Sequence, residues 1–136
     1  RIDCLFPNAD GSNSDFTKSA GATQYELVDE AAPNTTDYIY SSTLNHISTV
    51  NMQNLSGVTG TIFGAAVNNV ALKDDAGARS IAAVVVSGAT TSVVGSDSLS
   101  TAYLNYQELY EVDPNTAVAW LEAGVNAAEC GVKVVV

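Results

Sequence analysis

No stretch of this chain repeats apolar residues at helical spacing for more than two turns, and that constrains its fold more than any single motif. Valine, threonine, alanine and tyrosine instead dominate runs broken by Gly, Asn and Asp turns. In order they are residues 38–43, 46–52, 59–72, 80–87, 91–94, 99–112 and 132–136, with a further strand expected near 25–28. Such a succession of short strands predicts an all-β domain, a β-sandwich of jelly-roll type. The best helix candidate is the short stretch 117–123.

Local patterning sharpens this reading. Residues 73–79 (Lys-Asp-Asp-Ala-Gly-Ala-Arg) lie between two β-patterned runs, and Gly77 can take positive φ, so the segment predicts a hairpin. Within 99–112, Ala102, Leu104, Tyr106, Tyr110 and Val112 share one face, with Asn105, Gln107 and Glu111 on the other and Glu108 alone breaking the apolar side. Asp113-Pro114-Asn115-Thr116 ends that run, because proline cannot donate to a ladder and Asp and Asn favour turns. Residues 59–72 place Ile62, Val70 and Leu72 on one face and Phe63 and Val67 on the other, with Gly64 as the expected bulge.

A chain of 136 residues is one domain, able to bury roughly two-thirds of its unfolded surface in a single core. It divides into an N-terminal arm, 1–23, and a sandwich domain, 24–136. The arm holds Pro7, Asn8, Asp10, Asn13, Asp15 and Phe16 in a composition that buries little, suiting extended chain that orders against a neighbouring subunit. Asp10, Asn13 and Asp15 offer oxygen ligands, but their spacing departs from a calcium loop and no glutamate closes it, so no metal is expected. No apolar run reaches the length of about 18 residues that crosses a bilayer, and no basic-then-apolar leader opens the chain. A soluble protein without a membrane partner is expected. Numbering starts at Arg1 without methionine, at a processed end or an arbitrary point.

Fifteen acidic against five basic side chains give a formal net charge of −10. Phosphate backbones are held by clustered Lys and Arg, so nucleic acid is excluded as an expected partner. The two cysteines, Cys4 and Cys130, lie near opposite ends and form a candidate disulfide; buried thiols or a link between subunits are the alternatives. With one histidine they cannot build a zinc site of the usual spacing.

No catalytic set and no cofactor motif emerges. His46 sits in an alternating run without an acid or hydroxyl at motif spacing. The pairs Asp29-Glu30 and Asp74-Asp75 fall at turns, where adjacent side chains diverge. Trp120 with Tyr103, Tyr106 and Tyr110 could line a sugar site, although their spacing suits core packing better.

Several blocks, in order, carry a resemblance. They are Tyr25-Glu26-Leu27-Val28-Asp29-Glu30, Asp37-Tyr38-Ile39-Tyr40-Ser41-Ser42-Thr43, Lys73-Asp74-Asp75-Ala76-Gly77-Ala78-Arg79-Ser80, Leu99-Ser100-Thr101-Ala102-Tyr103, Asp113-Pro114-Asn115-Thr116, and Ala119-Trp120 with Val125-Asn126-Ala127. Together they resemble a family of small structural proteins of tailed bacteriophages, virion or head-tail components, with residues 1–23 outside the likeness. The resemblance implies a virion protein and no enzyme. Joined to the acidic charge, it points first to a capsid decoration or cement protein on the outer head surface. Such a protein would bind the major capsid protein as a homo-oligomer, expected to be a trimer at threefold positions. A tail, neck or fibre-associated protein is the second reading, and a carbohydrate-binding β-sandwich the third.

Overall fold

The valine- and alanine-rich run Ser80–Ser87 is buried at every residue but Val86, so it needs neighbours on both edges and cover on both faces. The computed structural model, which describes residues 1–21 and 23–136, supplies them. Its strands are β1 (Pro7–Ser14), β2 (Thr17–Lys18), β3 (Ile39–Tyr40), β4 (Ile47–Met52), β5 (Ala65–Ala71), β6 (Ser80–Ser87), β7 (Thr90–Ser98), β8 (Leu104–Tyr110) and β9 (Glu129–Val134). A 3-10 turn at Tyr25–Leu27 and a short helix, α1 (Glu122–Ala127), complete the described elements.

Five strands form an antiparallel sheet in the order β1-β4-β9-β6-β7, and β2-β3 and β5-β8 form two-stranded ribbons. The register pairs Ser48 with Val132, Val50 with Cys130, and Cys130 with Val85, which sets these side chains on one face of the large sheet. The β5-β8 ribbon covers part of that face. Val67, Ala83, Val85, Tyr110, Trp120 and Ala128 meet there as the core, with Val94, Val125 and Cys130 packed against them. The molecule is therefore an all-β sandwich, as the strand pattern predicts.

Several local expectations change. Residues 73–79 are not a hairpin loop: β5 pairs with β8, whereas β6 pairs with β7 and β9, so the segment crosses between layers. The reason is burial. β5 alternates in exposure and suits an outer ribbon, while the uniformly apolar β6 takes an inner position. The tight hairpin joins β6 to β7, where Gly88 adopts φ 55° at the first loop position, as a primed turn beginning with glycine requires. The bulge falls at Gly95 (φ 86°), beside the register shift opposite Ile81 and Ala83, and not at Gly64. Residues 25–28 form the 3-10 turn and not a strand, and the helix begins five residues later than 117 because Ala117 takes φ 59° in the turn closing on Asp113.

The boundary at residue 23 does not coincide with a break in the sheet. Pro7–Ser14 is extended, as an arm would be, but it pairs with β4 as an edge strand of the domain itself. Asp10 opposes Val50 and Ser14 opposes Ser48, so two extra residues of β1 bulge between them.

Candidate docking cleft

The bulge in β1 is pinned by polar side chains. One oxygen of Glu129 (Oε2) accepts from the Ser12 backbone N–H (2.8 Å), the Ser12 hydroxyl (2.8 Å) and the Thr49 hydroxyl (2.6 Å), and Thr49 Oγ1 accepts from the Asn13 N–H (3.1 Å). Burial opposes ionisation of Glu129, but the bonds from Thr49 and Ser12 outweigh it and hold the carboxyl below the usual range. Asp10 accepts from the backbone N–H groups of Gln24 (2.7 Å) and Tyr25 (2.8 Å), and Asp15 from that of Ile47 (3.0 Å). These two carboxylates and Asn13 thus serve backbone donors and neighbouring side chains. Among the described residues no group of three or more His, Cys, Asp or Glu gathers. Asn8 is exposed, Pro7 opposes Met52, and Phe16 is partly buried. Nothing in the sequence singled out Glu129 or the buried Gln24, whose carbonyl accepts from Ser48 Oγ at 2.8 Å, because each is defined by a partner distant in sequence.

The aromatic residues separate. Trp120 and Tyr110 are buried, whereas Tyr103 is 39% exposed and the Tyr106 hydroxyl accepts from the Ser100 N–H at 3.0 Å. The structure does not assemble the four into one exposed sugar platform. Asp113 is buried with Ser87 Oγ (2.7 Å) and the Asn115 N–H (2.9 Å) on its Oδ1. Burial raises its pKa, yet those bonds and further ones from Thr116 lower it on balance. His46 Nδ1 lies 2.9 Å from Ser41 Oγ. Asp75 pairs with Arg79 at 2.7 Å across the crossing loop.

The candidate disulfide is not formed. Cys4 is exposed, while Cys130 borders an apolar cavity of about 30 Å³ among Met52, Val85, Trp120 and Val125. Burial first, and the nearby Glu129 charge second, push the Cys130 thiol up to about 11. The two thiols belong to different surroundings because Pro7–Ser14 carries the start of the chain to the sheet edge, and β9 holds Cys130 at its centre.

A wide cleft encloses about 1830 Å³. Its floor includes Ser48, Val50 and Met52 of β4 and Val132 and Val134 of β9. Residues 57–75 line one wall without interruption, and residues 37–42 another, whereas Thr17 and Lys18 of β2 do not line it and Leu109 is the only β8 residue that does. A strand presents alternate residues to a face and every residue to an edge. β5 and β3, each with a single ladder partner, thus contribute all their residues to the lining. Glu30 and Asp37 both line the cleft and share a side-chain hydrogen bond: burial raises the Glu30 pKa, and the Asp37 charge and bond and the Asp29 charge add to it, against a lowering backbone bond. Asp37 Oδ1 is buried without a hydrogen-bond partner. Phe63, 87% exposed, and Tyr40, 52% exposed, add apolar surface along the walls.

No family model, no curated protein and no solved structure matches this chain.

Proposed function

We propose that this chain is a structural protein of a tailed-bacteriophage virion and, within that class, a capsid decoration or cement protein docked on the major capsid protein at the outer head surface. The observation that carries the reading is the ordered set of blocks from Tyr25 to Ala127, which resembles small phage structural proteins across about four-fifths of the chain. Three features support it. The net charge of −10 suits an outer surface away from packaged nucleic acid. The cleft of about 1830 Å³ exceeds the roughly 300–1,000 Å³ of ordinary small-molecule sites, which favours a polypeptide partner. The carboxylates of Glu129, Asp113, Asp10 and Asp15 hold backbone N–H and hydroxyl groups, an architectural use.

On a symmetric shell, individually weak contacts become strong through simultaneous engagement, so a homo-oligomer, expected as a trimer at threefold positions, fits the role. The test is the copy number of the chain in purified virions with heads and tails separated. On the order of hundreds of copies travelling with heads supports decoration. About a few dozen or fewer travelling with tails assigns the protein to the tail, neck or fibre. Absence from both overturns the virion reading and favours the carbohydrate-binding alternative.

A further inference from the structure

β1 keeps its place on the edge of β4 with little help from the core. None of its side chains belongs to the described buried set, and two register shifts interrupt its ladder, one between Pro7 and Ala9 and one between Asp10 and Ser14. Polar bonds hold it instead, from residues at position 24 or beyond. Gln24 and Tyr25 donate their backbone N–H groups to Asp10, and the Gln24 side-chain amide donates to Asn13 O. Asn51 Nδ2 donates to Asp10 O at 2.8 Å, while Glu129 and Thr49 take Ser12 and Asn13. A strand held this way opens at little apolar cost, and its composition of Asn, Asp, Ser and Gly stays solvated when free.

The slot it occupies is selective. A Cβ at Gly11 would come within 2.6 Å of the Thr49 carbonyl oxygen and hydroxyl and 2.7 Å of Glu129 Oε2, so a strand seats there only with glycine at that point. Leaving the slot empty would expose the ladder edge of β4 beside the buried Ser48 and Thr49. The strand that fits is therefore β1, and β1 of a second copy would form the same bonds, since the partners all lie outside it. Only Asp15 and Phe16 separate β1 from β2. Short links of this kind favour exchange, because the link straightens while every other contact is kept. Passed reciprocally, the strand closes a dimer; passed round a ring, it closes a trimer.

We propose that copies of this chain join by exchanging residues 7–14, each β1 seating on the β4 edge of a neighbour in the register seen within one chain. The inference does not rest on the virion reading: it concerns how copies join, wherever the protein works, and the copy number in virions leaves it untouched.

Two full-length chains test it, both Cys4→Ser, one with Ala9→Cys and the other with Asn51→Cys, positions that face each other across the ladder. They are unfolded, mixed, refolded in reductant and then mildly oxidised. Unlike chains should form a disulfide about tenfold more than like chains, and more so as protein concentration rises. A Gly-Ser-Gly-Ser insert between Asp15 and Phe16, which frees β1 to reach its own β4, should lower that yield about tenfold. Gly11→Ala in the Ala9→Cys chain should lower it as far, by blocking the slot. A single chain with both cysteines is the folding control and should close a bond within itself when dilute. The proposal is overturned if unlike chains link no more than like ones, or if linking is indifferent to the insert or to Gly11→Ala. It also falls if the double-cysteine chain forms no bond within or between chains, since β1 then does not pair with β4 in this register.

Discussion

Trp120 donates its indole N–H to the backbone carbonyl of Tyr110 at 2.9 Å, and the two side chains stand together in the core at 3% and 5% exposure. The Tyr110 hydroxyl continues the chain of bonds, donating toward Ala83 O at 3.0 Å with Ser92 O at 3.3 Å. Two large rings thus join α1's approach, β8 and β6 with their polar ends satisfied. Burial, with smaller contributions from Cys130 and Glu108, pushes the phenol up to about 12.

Replacing these side chains should separate packing from hydrogen bonding. Trp120→Ala should lower unfolding stability by about 3–5 kcal/mol. Tyr110→Phe, which keeps the ring and removes its donor, should cost about 1 kcal/mol, and Tyr103→Ala should stay within about 0.5 kcal/mol. Urea denaturation measures all three. An unchanged midpoint for Trp120→Ala would refute the core assignment and return the ring to ligand binding.

Gly131 makes a second, sharper prediction. A Cβ there would run into the Ser48 carbonyl oxygen and come within 2.8 Å of Thr49 Cα, and both obstacles are backbone. Gly131→Ala should therefore force β4 and β9 apart and cost more than the 1–3 kcal/mol or so of ordinary overpacking. Gly60, which has nothing within 4 Å, is the control: Gly60→Ala should be within about 0.5 kcal/mol of the parent. Equal stability of the two variants would contradict the close strand approach.

Different features of the fold were legible for different physical reasons. β6 was readable to the residue because its apolar run is bounded by turn chemistry on both sides, and Asp113-Pro114-Asn115-Thr116 announced its own turn. Pairing was not readable. Residues 73–79 look like a hairpin locally, and only the competition of β7 and β9 for the edges of β6 sends β5 to the other layer. The polar strand β1 gave no apolar alternation to read, since its place depends on the open edge of β4 and on Glu129 more than a hundred residues away. The cleft is equally non-local: its walls and floor come from segments that are individually unremarkable.

Acid should loosen the fold in a defined window. Glu129 and Asp113 have folded pKa values below their ordinary values of 4.5 and 3.8, so the unfolded chain takes protons first as pH falls. Their stabilisation is complete above those values and is lost as pH drops through the lower folded ones. Glu30 has the opposite sign: its raised folded pKa means that stability is lost as pH rises from 4.5 through that higher value. Glu129→Gln and Asp113→Asn should therefore be less stable at pH 7 and flatter in acid, while Glu30→Gln should be more stable at pH 7. Urea midpoints between pH 7 and pH 3 check this, and an acid dependence unchanged in all three variants would refute it.

The thiols should differ in reactivity. With Cys4 exposed and Cys130 held as a thiol by its surroundings, a thiol reagent at pH 8 should modify one cysteine in the native protein and both after unfolding. Reductant should leave the melting temperature unchanged. Two slow native sites, or a melting temperature that falls with reductant, would restore the Cys4–Cys130 bridge.

The last prediction concerns the segment that looked dispensable. An arm outside the sandwich could be removed without harm, but removing residues 1–23 takes β1 from β4 and leaves a free edge beside the buried Ser48 and Thr49. Glu129 would lose Ser12, and Gln24 would lose Asn13 O, to which its side-chain amide donates at 3.1 Å. Buried polar groups stripped of partners cost about 1–3 kcal/mol each, and an exposed strand edge promotes association. The truncated chain should unfold at markedly lower urea and self-associate in sedimentation. Removing residues 1–5 alone, ahead of the first paired residue Pro7, should do neither. A stable, monomeric 24–136 fragment would show that β1 is a detachable arm after all.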